Sequence, residues 1–559
     1  MLARRIAALL AVAACRGPDP AGEPGTTGAD TTDPLAMSSS TSDTTTGDPA
    51  PAFTPGPPVL PRLTRAQYFN SLRDIFGPDL PTPPLEPDQN PHLFDSIGAA
   101  TTTLSELGAQ QYEEAADLIA AHIFDNSEPS RREALVACDV ADATCTAEFL
   151  ARVGRRLYRR PLTEAELSRW TGVAAELALG DPWRGLRFAV AGLIQSPHFL
   201  YRVEPGHPDS LNNFNFNYYD SYEMAARLSF LLLNTGPDDV LLDAAERGEL
   251  GDAASLRAHA ERMLADPRAR VAVQEFFAQL LDLRRLDAVV RDPAAHPRWT
   301  PTLAAAMRRE VELLVDDHVF RRDADILALF NQRHTFVNAD LAALYGVAAE
   351  GADAITYVPV DLPGERAGVL SLAAFLTLTS HPVETSPTRR GKYLRERILC
   401  QTVPPPPPGV DASLDPPEGD TPTSVAERLL AHRSDPVCAG CHDLIDPPGL
   451  LFEHFDPIGA WRDEALGLPV DAAGGLDGLT IDDASELADL LAADPRVARC
   501  LVTQLHRHAS GRLAAAGELP ALDALDAAFA DHHHSFRALL LDLVTSDAFR
   551  AVAPAEEGP

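Results

Sequence analysis

A chain of 559 residues is too long for one hydrophobic core and should fold as several packed units. Its composition, 45% apolar and 23% charged, fits a globular protein and excludes a wholly disordered one. The net charge of −34, from 81 acidic against 47 basic side chains, repels phosphate backbones and argues against a nucleic-acid partner; it leaves a solvated acidic surface or a basic partner.

Residues 1–14 have the form of a secretory signal: Arg4 and Arg5, then an apolar run from Ile6 to Ala14 that is too short to span a membrane. The run ends Val12-Ala13-Ala14-Cys15, which resembles a bacterial lipobox and makes Cys15 the expected lipidation site. The alternative is an ordinary signal cleaved near the same point. Lasting attachment by lipid needs more than one acyl chain. No other stretch has the ~18 continuous apolar residues of a membrane span. Residues 15–61 bear the lipid and continue as Thr, Ser, Pro, Gly and Asp, a composition that buries too little surface to offset chain entropy and so predicts a flexible tether.

The body is expected to be mainly α. Leu63-Thr64-Arg65-Ala66-Gln67-Tyr68 reads as a helix start, with Thr64 as N-cap, Gln67 completing a capping box and Leu63 stapling onto Tyr68, and Gly77-Pro78 stops that helix. The same grammar recurs at Thr163 with Glu166 and at Asp220 with Glu223. Helical periodicity runs through 221–233, 254–265, 269–282, 303–320, 366–378 and 484–493, while the clearest strand-like run is Ala354 to Val360. The body is expected to comprise helical domains at 62–127, 131–180, 181–328 and 329–430, a segment at 431–470 and a C-terminal domain at 480–552. The last repeats the 145–202 unit. Leu186-Arg187 leads to Ser196-Pro197-His198-Phe199 with the spacing by which Phe536-Arg537 leads to Ser546-Asp547-Ala548-Phe549, and a Gly-Arg pair precedes each, Gly154-Arg155 and Gly511-Arg512.

One segment carries a strong chemical signal, Cys438-Ala-Gly-Cys441-His442. Two residues between the thiols let both reach the vinyl groups of a single haem, and the next histidine falls under the iron. One covalent haem c is therefore the expected cofactor, with Cys438 and Cys441 as attachment points and His442 as proximal iron ligand. A zinc site would want a second close Cys or His pair, and a thioredoxin-like pair would want a βαβ setting. All five methionines precede Cys438, so the sixth iron position falls to an upstream methionine folding back, to a histidine (His506, His508, His454 or His381), or to no protein group. The remaining cysteines, Cys138, Cys145, Cys400 and Cys500, are even in number. Cys138 and Cys145 enclose a short polar loop, and Cys400 with Cys500 follows by elimination; four free thiols are the alternative. The run His532-His533-His534 reads as a solvated loop, with adventitious metal binding as the alternative, and the arginines at 155, 156, 159 and 160 read as paired helix surface, with anion binding as the alternative.

With these motifs in order, the chain from Leu63 to about Arg550 resembles the large multi-domain cytochrome-c-like proteins of planctomycetes and myxobacteria, built from consecutive domains of unknown function. The resemblance rests on Phe94-Asp95-Ser96-Ile97-Gly98, Tyr158-Arg159-Arg160-Pro161-Leu162-Thr163, Thr335-Phe336-Val337-Asn338, Leu344-Tyr345-Gly346-Val347, Thr385-Ser386-Pro387, Asp446-Pro447, Gly459-Ala460-Trp461-Arg462 and the haem motif. It implies an extracytoplasmic setting and a haem-like motif, and no particular reaction. Three functions remain open: an electron carrier of the cell envelope, on its periplasmic or outer face, serving an unidentified redox partner; a haem oxidase or peroxidase with an open iron; and a surface-binding or scaffold protein.

Overall fold

The computed structural model describes residues 52–208, 216–405, 423–434 and 436–555, so the signal sequence and Cys15 lie outside the described residues. The body is mainly α, with strands of two to four residues only. All three expected capping boxes form: Thr64 with Gln67, Thr163 with Glu166 and Asp220 with Glu223. Each satisfies two orphan amides of a first turn, which is why these helices begin where they do.

Two buried clusters make up the interior. The smaller draws on residues from Leu63 to Leu200 together with Ala226 and Phe230, the larger on Phe94, Ile97 and residues from Met224 to Phe549. The helix Ser221–Leu233 lies between them. Its sequence after the first turn is apolar on every side except at Arg227 and Ser229, and every residue from Glu223 to Leu233 is buried. Met224, Leu228 and Leu231 belong to the larger cluster, Ala226 and Phe230 to the smaller. A helix apolar all round needs such two-sided cover.

The clusters are also tied by polar groups. Arg227, in the middle of that helix, pairs with buried Glu204 at 3.2 Å, donates through Nε to the Phe549 carbonyl at 3.2 Å and lies over the Tyr219 ring. From the N-terminal side, Phe94 stacks on Phe276, and the Asp95 amide donates to Gln279 at 2.8 Å. The chain end is held by Ala551–Val552, which pairs antiparallel with Asn217–Tyr218.

Three expected elements differ. The strand expected from Ala354 occupies only Val358–Asp361, paired with His334–Val337, because Asp353 accepts the amides of Ile355 and Thr356 and bends the chain into a turn first. The helix expected over 366–378 is broken. Gly368 sits at φ 65° against the Phe330 carbonyl, where a Cβ would fall 1.7 Å from that oxygen, and the α-helix runs only over Ala373–Leu378. The pattern at 303–320 covers an α-helix, Pro301–Asp316, whose end widens into a π-turn, Asp317–Arg321.

The two similar units correspond in a different register from the one the Gly-Arg pairs suggest. Gly154-Arg155 lies inside the helix Ala143–Tyr158, whereas Gly511 is the left-handed cap of the helix Pro495–Ser510. The residue in Gly511's role is Arg159, also left-handed at φ 60°. Arg160 then grips Glu166 with both terminal nitrogens, at 2.8 and 2.9 Å, as Arg512 grips Glu518 at 2.7 and 2.5 Å. In both units the glutamate also accepts the amide three residues before it, from Thr163 and from Ala515, at 2.8 Å.

Removing Arg227 strips one partner from a buried carboxylate. Arg227→Ala should lower the unfolding free energy by roughly 3 kcal/mol in urea titration. Arg187→Ala, which breaks the exposed pair with Asp117, should cost less than about 1 kcal/mol. Equal losses would show that the buried pairing is not what joins the clusters.

Candidate functional site

The haem-type motif opens the helix Pro436–Leu450. Proline at the first position costs no hydrogen bond and presets the backbone, so the helix starts there. Cys438, Cys441 and His442 stand at i, i+3 and i+4 and share one face of its first turns. Both thiols are free and half-buried, while the other described cysteines are joined as Cys138–Cys145 and Cys400–Cys500. Toward the other end, Pro447 and Pro448 lie within the helix. Pro448 cannot bond the Leu444 carbonyl as an ordinary residue would, and the Nε of buried Arg395 donates to that oxygen instead, at 3.1 Å.

His442 is oriented by its own helix. Its Nδ1 lies 2.9 Å from Oδ2 of Asp446, one turn on, and Oδ1 of Asp446 accepts from the Thr388 hydroxyl at 2.8 Å. Asp446 is wholly buried. Burial raises its carboxyl above the ordinary range, and the Thr388 and His442 contacts oppose that rise.

Thr388 belongs to the helix Pro387–Tyr393, which crosses the motif helix at backbone contact. A Cβ at Gly391 would fall 1.6 Å from the Ile445 carbonyl oxygen, and one at Gly449 would fall 1.9 Å from that of Pro387. Only glycine allows this approach, and the approach places Thr388 against Asp446.

The ring against His442 is that of His432, edge-on with centroids 4.5 Å apart. It comes from the preceding helix, Val425–Arg433, which begins with a reciprocal Ser424–Glu427 cap, and the two helices are further joined by Arg433 and Asp443 at 2.6 Å. His432 was not among the histidines singled out from sequence. Its signal is a histidine ten residues before His442 on a short helix, but the crossing angle that brings the rings together is not written in that spacing. Asp446 was not singled out as a ring partner either; its signal is the four-residue spacing from His442 along one helix.

The four histidines expected near the iron have other neighbours. His454 donates from Nδ1 to the Arg462 carbonyl at 2.9 Å and stacks on Trp461. His381 lies on an exposed turn closed by its amide to Glu384. His506 is buried 3.4 Å from Glu518, whose carboxyl is pushed up by burial but held well below the ordinary range by Arg512 and His506. His508 sits edge-on to Phe94 and Phe276, and burial pushes it down to about 4. Met224, Met263 and Met307 are packed in the larger core. In the histidine run, His532 lies 3.3 Å from Asp542 and His534 3.7 Å from Asp325. Arg155 pairs with Asp243 and Glu246.

The donor set fits a covalently bound haem: two unpaired thiols and a histidine on one helical face, with the histidine's Nδ1 already engaged so that Nε2 is left for iron. Among the described residues, no helix is long and apolar enough to cross a membrane.

Comparison with known families yields five matches in succession, each to a protein of unknown function: DUF1587 over residues 62–125, DUF1595 over 145–204, DUF1592 over 219–347, DUF1588 over 366–465 and DUF1585 over 477–549. The fold is thus a mainly α, multi-domain assembly of the cytochrome-c-associated kind, and the Cys438–His442 motif lies within the DUF1588 match. These five consecutive domains are the set found in planctomycete-type cytochrome-c-like proteins. No curated protein and no solved structure gives a match.

Gly391→Ala should lower stability by about 1–3 kcal/mol, the range for forcing extra atoms into a packed contact. Gly172→Ala, on a helix with open space at its Cβ, should leave stability unchanged or raise it by about 0.5–1 kcal/mol. A Gly391 variant as stable as the parent in urea would refute backbone contact between the two helices.

Proposed function

We propose that the chain is an extracytoplasmic c-type haem protein of the cell envelope that passes single electrons. The observation that carries this reading is the state of the cysteines. Four of the six described are paired in disulfides, and the two left free are those of the CxxCH motif, half-buried and on the same face as His442. Disulfides belong to oxidising compartments, in keeping with the signal-like residues 1–14 and the lipobox at Cys15. A haem held there supplies a one-electron iron couple.

His442 serves as proximal ligand through Nε2. The His432 ring packs edge-on against that of His442 with centroids 4.5 Å apart, which leaves no room for an iron and a haem plane between them, so His432 buttresses the proximal ring rather than supplying the second ligand. Ligation by a second histidine closes the iron to small molecules and goes with the carrier, whereas an open sixth position goes with an oxidase or peroxidase.

Produced as the full chain with the c-type maturation machinery, the protein should keep its haem stain on a denaturing gel, and Cys441→Ala should abolish normal attachment. A folded, stain-free parent refutes the proposal. The oxidised spectrum should lack the weak far-red methionine–iron band, and the reduced parent should bind carbon monoxide slowly or not at all. Rapid binding by the parent would favour the enzyme.

For location, Cys15→Ala should move the protein from the membrane fraction to the soluble fraction. Continued membrane association would show that the lipid on Cys15 is not the attachment.

A further inference from the structure

An imidazole that binds a metal through one nitrogen is tuned by what the other nitrogen meets. In His442 that other nitrogen is Nδ1, and it meets the Asp446 carboxylate at 2.9 Å. A neutral ring carries one proton, and beside an acceptor-only carboxylate the proton belongs on Nδ1, leaving the Nε2 lone pair free. A carboxylate is a stronger acceptor than a backbone carbonyl. It draws the Nδ1 proton towards itself, and the ring becomes a better electron donor at Nε2.

Burial strengthens the effect. Asp446 is shut off from solvent, so its field is not damped by water. The ferric state of a haem site carries one more positive charge than the ferrous state. A buried negative charge one ring away stabilises the ferric state more, and the reduction potential falls.

Thr388 acts in the opposite sense. Its hydroxyl donates to Oδ1 of the same carboxylate at 2.8 Å, spreading the charge and weakening the pull on Nδ1. The contacts at Gly391 and Gly449 fix the separation of the two helices, so the Thr388–Asp446 distance is set by backbone.

We propose that Asp446 is a positioning residue that fixes the His442 ring and lowers the potential of a haem bound at Cys438 and Cys441, and that Thr388 limits that lowering. The inference rests on the haem reading above. It adds a residue pair that sets how readily the site gives up its electron.

The test compares the full-length parent, Asp446→Asn and Thr388→Val, all produced with the c-type maturation machinery. Covalent haem is counted from the absorbance of the denatured protein, and the midpoint potential is read by spectroelectrochemical titration. All three should carry covalent haem. Asp446→Asn, which keeps an acceptor but removes the charge, should shift the potential positive, and Thr388→Val should shift it negative. A change in packing alone gives no reason for opposite signs.

Haem in the parent with no shift in Asp446→Asn, or shifts of the same sign in both variants, overturns the inference and leaves the haem reading standing. A parent without covalent haem overturns the haem reading and this inference with it. Should Asp446→Asn fail to fold, Thr388→Val decides alone: a potential unchanged or raised overturns the inference.

Discussion

Buried guanidinium groups donating to backbone carbonyls hold the segment that follows the motif, and the geometry of the candidate site depends on them. Arg395 takes the Leu444 carbonyl that Pro448 leaves unbonded. Arg390 takes those of Phe452 and Phe455, at 2.7 and 3.2 Å, Arg291 that of Pro457 at 3.3 Å, and Arg366 that of Gly459. Carbonyls at and beyond a helix end have no partner within the helix, and here the missing partners come from far along the chain. Arginine suits the task because its planar fork offers several donors at fixed angles and is weakly hydrated. Lys392 is the sole lysine in the sequence. Burial pushes Arg390 and Arg291 down to about 10, so both remain charged at neutral pH. Arg390 is also compensated by Glu453, which Arg462 and Thr385 contact in turn.

The same device ties the two buried clusters together. Arg159 caps the first unit by donating to the carbonyls of Leu157, His198, Phe199 and Tyr201, and Arg227 reaches the Phe549 carbonyl at the matching place in the last unit. Both units end in a short helix followed by a β contact, Tyr201 with Arg62 and Ala551 with Tyr218. The chain's first and last folded segments are thus closed by one kind of bond, side-chain cation to carbonyl, around the buried helix Ser221–Leu233.

What was legible in the sequence was local. A capping box is written within four residues, and Thr64, Thr163 and Asp220 all act as read. An apolar run that fills a whole helix is equally plain, and Ser221–Leu233 has the bounds its periodicity implies. Periodicity failed where a distant backbone intervened. Nothing near Gly368 announces the Phe330 carbonyl beside it, so an even helical pattern over 366–378 concealed a break. Sequence identity misled for the repeat, because Gly-Arg recurs at two unrelated positions while the equivalent residues, Arg159 and Gly511, share only a left-handed backbone. The haem-type motif was legible as chemistry. Its surroundings were not: His432, Thr388 and the glycine contacts depend on how three helices cross, and no spacing within one helix encodes that.

These crossings bear on why so large a body would carry one such motif. A carboxylate buried beside a histidine is costly to desolvate, and its influence on that ring falls off with distance and with any water admitted. It can act steadily only if neither helix of the pair shifts. The motif helix is fixed from outside at Leu444 by Arg395 and at its end by Arg390, and the Thr388 helix is pressed to it through Gly391 and Gly449. Arg390 and Arg395 themselves leave from the segment that carries Thr388. One stretch, 387–398, therefore supplies the hydroxyl on Asp446, the glycine that allows close approach, and the two arginines that hold the motif helix's C-terminal half. The N-terminal half, with both thiols, stays only partly covered. On the haem reading, that division leaves the attachment end open for the cofactor while the end that would govern its potential is locked into the core.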